Sequence, residues 1–253
     1  MRAPIFAWAI ASLFFTTGLG MASDIKVLTV GGLQKPITLI AADFSKQTGD
    51  KVTFTFTNPA QLQKTLGEGA YDAIVVADAP IEALEKAGKL AAGSHAKVVR
   101  GPIGVAVKEG VKFPDVSTPE ALKATLIAAK SVVYTDPSTP NGSGEKTKAI
   151  LEQLGVWDAV VAKGKIMSLG PAKEAVAKGE FEIGLFNASE SEAPGCVFVG
   201  AVPASIGRYT NYDGAVMANA PNGVVAAAFV RYLVGKPAAA RWSEGKMAPV
   251  GGA

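Results

Sequence analysis

Hydrophobic and polar positions along this chain switch repeatedly between a period of two and a period near 3.6. Residues 24–30 form a short β-rich run closed by Gly31-Gly32, and Ile37, Ile40, Ala41 and Phe44 then recur at helical spacing within 36–48. The plan repeats, with 51–56 reading as strand, 59–66 as helix, 72–77 as strand, and 81–87 as a helix ended by Gly88. Such alternation predicts mainly parallel sheet covered by helices. The longer apolar segment 98–107 is interrupted by Gly101, Pro102 and Gly104, and predicts a strand that carries the chain from one lobe into another.

A second α/β series begins at Ser117-Thr118-Pro119-Glu120, where a capping hydroxyl precedes a proline suited to a first helical turn. Residues 131–134 read as strand, 144–154 and 171–178 as helices, and 182–186 as a buried strand. Residues 212–218 read as a strand returning to the first lobe. The helix predicted over 223–233 sets Val225, Ala228, Phe229 and Tyr232 on one face and is stopped by Gly235 and Pro237. The expected architecture is a two-lobed α/β protein, with residues 23–100 and 210–253 in one lobe and 101–209 in the other.

At the N-terminus Arg2 precedes an uncharged apolar run over 4–19, and small residues stand at Gly20 and Ala22. This is the pattern of a signal peptide cleaved near Ala22, which places the mature protein in the periplasm. The competing reading, an uncleaved anchor, needs a slightly longer run. No Cys follows the cleavage point, so no lipid anchor is expected.

Composition changes this picture little. With 49% hydrophobic and 19% charged residues the chain is an ordinary globular one. Losing the signal takes Arg2 from a formal net charge of +3, which predicts no nucleic-acid partner. Cys196, the single cysteine, reads as a small core residue, and His95, the single histidine, as a solvated loop or strand-edge residue.

Candidate chemistry lies where strands end and helices begin, at Val30-Gly31-Gly32-Leu33, Phe56-Thr57-Asn58-Pro59, 136–144 and Phe186-Asn187-Ala188-Ser189. At such corners backbone N–H groups and the positive end of a helix dipole suit an anion, and open α/β sheets hold ligands off the carboxyl ends of their strands. Enzyme chemistries find less support. One histidine and no G-x-S-x-G argue against a serine hydrolase, and His and acid ligands for a catalytic metal are not clustered. Gly142-Ser143-Gly144-Glu145-Lys146-Thr147 mimics a P-loop, but Glu145 breaks the Gly-Lys-Ser/Thr step.

The stretch Asp136-Pro137-Ser138-Thr139-Pro140-Asn141-Gly142-Ser143-Gly144, with Ala149-Ile150-Leu151 and Leu154-Gly155-Val156-Trp157-Asp158 after it, resembles the DP…G…AL..LG.WD segment of the molybdate-binding proteins of ABC importers. Tyr71-Asp72-Ala73-Ile74-Val75-Val76-Ala77-Asp78, Ile183 to Glu190, and 229–249 are similar to further segments of that family, so nearly all of the mature chain is covered. The resemblance implies a type II periplasmic-binding-protein fold with the ligand in the cleft between lobes. It further implies no cofactor or metal, an ABC importer's membrane subunits as partners, and a monomeric receptor. A periplasmic sensor subunit would use the same fold.

Aligned on that family, the contacting positions fall at Gly32, Pro59 or Asn58, Ser143, about Leu169, and Asn187. With the corners above they make Gly31, Gly32, Leu33, Asn58, Thr139, Asn141, Ser143, Leu169, Asn187, Arg208 and Tyr212 the candidate ligand contacts. Where the family has Ser, Ser and Tyr, this chain has Gly32, Pro59 and Asn187, which removes up to three hydrogen bonds at about 1.5–3 kcal/mol each. The extra room also suits a larger anion than molybdate or tungstate, such as a carboxylate, for which Arg208 beside Tyr209 and Tyr212 would be a clamp.

Overall fold

The computed structural model describes residues 22–139 and 142–250; residues 1–21, where the signal peptide is expected, 140–141 and 251–253 lie outside it. The first lobe begins with β1 (Asp24–Val30), α1 (Gln34–Thr48), β2 (Lys51–Thr57), α2 (Leu62–Glu68), β3 (Ala73–Ala77) and α3 (Asp78–Lys86). β1 runs parallel to β2 and β3 at the centre of this sheet. α2 starts three residues later than the pattern of apolar positions predicts, because the Asn58 side chain and carbonyl both accept from the Gln61 N–H and hold residues 58–61 in a turn.

β4 (Ala96–Lys108) is the long strand expected from residues 98–107, and it serves both lobes. Its first half pairs antiparallel with β9 (Tyr209–Val216), and its second half with β7 (Ile183–Asn187) and β8 (Cys196–Ala201). Between these crossings lie α4 (Pro119–Ala128), β5 (Val132–Tyr134), α5 (Ser143–Gln153), α6 (Trp157–Val161), β6 (Gly164–Ile166) and α7 (Leu169–Lys178). β5 pairs parallel with β6 and β7, so each lobe has a parallel centre and the antiparallel pairs come from the crossing strands. Thr118 caps α4 by accepting from the Ala121 N–H at 3.1 Å, as its hydroxyl predicts.

The chain returns through β9 to the first lobe and closes with α8 (Gly223–Leu233), α9 (Lys236–Glu244) and β10 (Ala248–Pro249). Gly235 and Pro237 do more than stop α8. Gly235 is the N-cap of α9 and Pro237 sits in its first turn, where a missing N–H costs nothing.

Buried side chains segregate as the topology demands. One core joins Ile25, Val27, Ile37, Phe44, Ile74, Phe229 and Trp242 in the first lobe. The second lobe carries cores on the two faces of its sheet, because alternate strand residues point opposite ways. Val132 and Tyr134 face Leu122, Leu151 and Val160, while Val133 faces Ala172, Val176, Phe186 and Cys196. Cys196 is thus the core residue its sequence context suggests, and burial pushes its thiol pKa up. Among the described residues no single helix is long and apolar enough to cross a membrane.

His95 is not the free surface residue its polar neighbours suggest. Its Nδ1 lies 2.9 Å from Glu85 of α3 and its Nε2 lies 2.6 Å from the buried Asp213 of β9. Partial burial by itself lowers its proton affinity, but hydrogen bonds and charge from Asp213 and Glu85 outweigh it, and the folded-state pKa is raised. A raised pKa means that the protonated ring stabilises the fold fully below the free value of 6.5, and that this contribution is lost as pH rises through the folded value. Melting temperature should therefore fall from about pH 6 to pH 8 more steeply in the native protein than in His95→Gln. Parallel curves would show that the two carboxylates do not hold the proton.

Candidate ligand-binding cleft

The carboxyl ends of β1, β2, β3, β5 and β7 converge on one cleft of about 290 Å³ between the lobes. From the first lobe it is lined by Val30, Gly31 and Gly32 after β1, by Thr57, Asn58 and Pro59 after β2, and by Ala77. The second lobe supplies Thr135, Asp136, Thr139, Gly142 and Ser143 around the start of α5, together with Asn187 and Glu190 after β7. Thr210 and Tyr212, on the returning strand β9, complete it.

Seven of the candidate contacts meet here: Gly31, Gly32, Asn58, Thr139, Ser143, Asn187 and Tyr212. Four do not. Leu33 is wholly buried in the core of the first lobe, because the turn after β1 brings its side chain inward to pack under α1. Leu169 opens α7 and packs with Ala172 and Val176 on the far face of the second sheet. Arg208 lines an adjoining annex rather than the cleft. Asn141 lies outside the described residues. Thr57 and Asp136 belong to corners marked in the sequence but not to the candidate contacts, and Thr135, Glu190 and Thr210 line the cleft without having been named as candidates.

The walls differ in chemistry. Around α5 the Thr135 and Ser143 hydroxyls are 2.8 Å apart, and the N-cap of the helix is Gly142, which has no side chain with which to cap it. The Asp136 carboxylate accepts from both the N–H and the hydroxyl of Ser138 at 2.8 Å, which hold its pKa below the usual range. Opposite, Asn187 donates to Glu190 at 2.8 Å, while the other amide atom of Asn187, its buried Oδ1, has no partner. Glu190 and Tyr212 occupy the space beside Gly32. A Cβ there would stand 3.3 Å from the Tyr212 hydroxyl and 3.6 Å from Glu190 Oε1. Burial, reinforced by the charge of Glu190, pushes the Tyr212 phenol pKa far up and keeps it an O–H donor.

Beside the cleft the lobes are tied by Lys246, which pairs with Glu192 at 2.6 Å and lies 5.3 Å over the Phe198 ring. Among the described residues no three His, Cys, Asp or Glu side chains are grouped to hold a metal ion.

Two α/β lobes, linked by crossing strands and opening on a polar cleft at the ends of their parallel strands, define a solute-binding protein. The chain belongs to the bacterial extracellular solute-binding protein family, whose model matches residues 25–245. It resembles the molybdate-binding periplasmic proteins in particular. It is 26% identical to the molybdate-binding protein ModA of Azotobacter vinelandii over 92% of this chain and 95% of that protein. The substrate-binding domain assigned to a molybdenum ABC transporter of Clostridium difficile superposes with a TM-score of 0.76 at 16% identity, covering 90% of this chain and all of that one. A Pseudomonas protein named aconitate isomerase is 29% identical over 95% of this chain and 94% of its own length.

Proposed function

We propose that this chain is the periplasmic receptor of an ABC importer, and that its cargo is a small organic acid bound without turnover. The receptor role follows from the family. The choice of cargo is carried by Glu190, an acidic acceptor facing Gly32 and Tyr212 in a cleft that no Lys or Arg lines. A tetrahedral oxyanion such as molybdate accepts hydrogen bonds and has none to give at neutral pH, so against Glu190 it meets like charge with no proton between them. The partnerless Asn187 Oδ1 on the same wall also calls for a donor. A hydroxylated organic acid supplies both kinds of group: carboxylate oxygens for the hydroxyls around α5, and a hydroxyl proton for Glu190.

On this reading the acid docks on one lobe, the second closes over it, and the closed form is what the importer's membrane subunits recognise. A single chain suffices for the cleft, and a monomer is the working state. The test is a thermal-shift screen of the purified protein against molybdate, tungstate, sulfate, phosphate and a panel of carboxylic acids. A ligand at a hundredfold excess over its Kd stabilises by about 2.7 kcal/mol, or roughly 5–10 °C in a chain of this size. Hydroxylated carboxylic acids should give that shift, and molybdate, tungstate and sulfate should not. Stabilisation by molybdate and tungstate alone would return the cargo to the family's oxyanion.

A second reading, catalysis, is favoured by the same pair, since a carboxylate beside a phenol is also an arrangement for proton transfer, and one relative is named an aconitate isomerase. Proton NMR of aconitate with the protein in D2O separates the two. An unchanged spectrum is expected of a receptor, whereas isomer interconversion that disappears in Glu190→Gln would make this an enzyme.

A further inference from the structure

Next to the cleft, and sharing Ala77 and Thr210 with it, lies an annex of about 290 Å³ lined by Asp78, Glu145, Lys146, Ala149, Arg208, Tyr209 and Asn211. Its walls come from both lobes: α3 and β9 on one side, α5 and the segment before β9 on the other. From Lys146 and Arg208, which both line this annex and form no salt bridge among the described residues, we infer that the annex receives a second carboxylate of the cargo, which makes the ligand a di- or tricarboxylate. The inference rests on the organic-acid reading and narrows it.

The two chambers divide their charges unequally. The cleft is lined by the carboxylates Asp136 and Glu190 and by no Lys or Arg, so a second negative group of a bound acid is repelled from it. Among the described residues both cations that line either chamber are in the annex, where they balance the carboxylates Asp78 and Glu145, whereas nothing balances Asp136 and Glu190 in the cleft. Asp78 makes its hydrogen bonds to neutral donors, the Ala79 N–H and the Asn211 amide, each at 2.9 Å, and acts on Lys146 through its charge alone. Lys146 makes no hydrogen bond or ion pair, and burial, only partly offset by the charges of Glu145 and Asp78, lowers its pKa. Arg208 donates only to the carbonyl of its neighbour Gly207, at 3.4 Å. A half-buried ammonium and an exposed guanidinium on the walls of one chamber gain most from a carboxylate that brings its charge with it.

Isothermal titration of the full-length protein with citrate, malate and lactate, which share a hydroxyl and differ in the number of carboxylates, tests the assignment. Citrate or malate should bind at least tenfold more tightly than lactate. Lys146→Met and Arg208→Met should each remove that advantage while leaving lactate affinity and melting temperature unchanged. Equal affinity for all three acids, or native malate and citrate binding in both variants, would overturn the annex and leave the organic-acid cleft standing. Failure of every acid to bind would remove both.

Discussion

Gly144→Ala should lose a hundredfold or more in ligand affinity and about 1–3 kcal/mol in stability, an effect out of proportion to one methyl group. A Cβ on residue 144 would lie 2.3 Å from the Thr135 carbonyl oxygen and 2.4 Å from that of Asp136. Those obstacles are backbone, so no flexible side chain can swing away, and either α5 retreats or the strand end moves. Both responses pull apart the Thr135 and Ser143 hydroxyls and shift the first turn of α5, the wall that would hold the acid's carboxylate. Two charge-assisted hydrogen bonds lost at about 1.5–3 kcal/mol each already account for a hundredfold. Gly67→Ala is the control, since a Cβ on that α2 glycine meets nothing within 4 Å and alanine is the better helix former. Titration calorimetry on the two variants should separate them clearly. Native affinity in Gly144→Ala would mean that this wall does not touch ligand.

That glycine also shows which parts of the site sequence could reveal. Gly31, Gly32, Asn58, Ser143 and Asn187 stand at strand-to-helix corners, where chain direction forces Gly, Asx and hydroxyl residues into a pattern readable over a few positions. Glu190 gave no such signal. Its place beside Gly32 and Tyr212 depends on the short helical turn after β7 and on β9 recrossing between lobes, contacts between residues far apart in sequence. A carboxylate three residues after Asn187 was the available hint. His95 stands in the loop at the edge of β4, as its neighbours suggest, but its acidic partners were not legible for the same reason, because Asp213 lies 118 residues away. Leu33 belongs to the core although its neighbours line the cleft, since a tight turn reverses side-chain direction in one residue. Arg208 stands beside the cleft rather than in it, a difference set by where β9 begins.

The other large effect is expected at Trp242, where alanine should cost about 3–5 kcal/mol and separate the unfolding of the two lobes. This indole is 1% exposed and its Nε1 donates to the Leu233 carbonyl at 2.9 Å, so one side chain fills the first core and closes the end of α8. Trp242→Phe retains most of the volume and loses only the donor, which predicts the smaller loss of about 1–3 kcal/mol that an unpaired buried carbonyl carries. The second lobe's cores share no buried residue with the first, so weakening Trp242 lowers the stability of one body and not the other. Trp157 reports on that second body, packed 5.9 Å from Tyr134 between ring centroids. In Trp242→Ala, loss of far-ultraviolet circular dichroism should begin well below the temperature at which Trp157 fluorescence changes. A ligand bridging the cleft should draw the two transitions together again, because it stabilises only the state in which both lobes are folded. Coincident transitions without ligand would instead mean that β4 and β9 weld the lobes into one cooperative unit, and that closure works by bending those strands rather than by moving separate bodies.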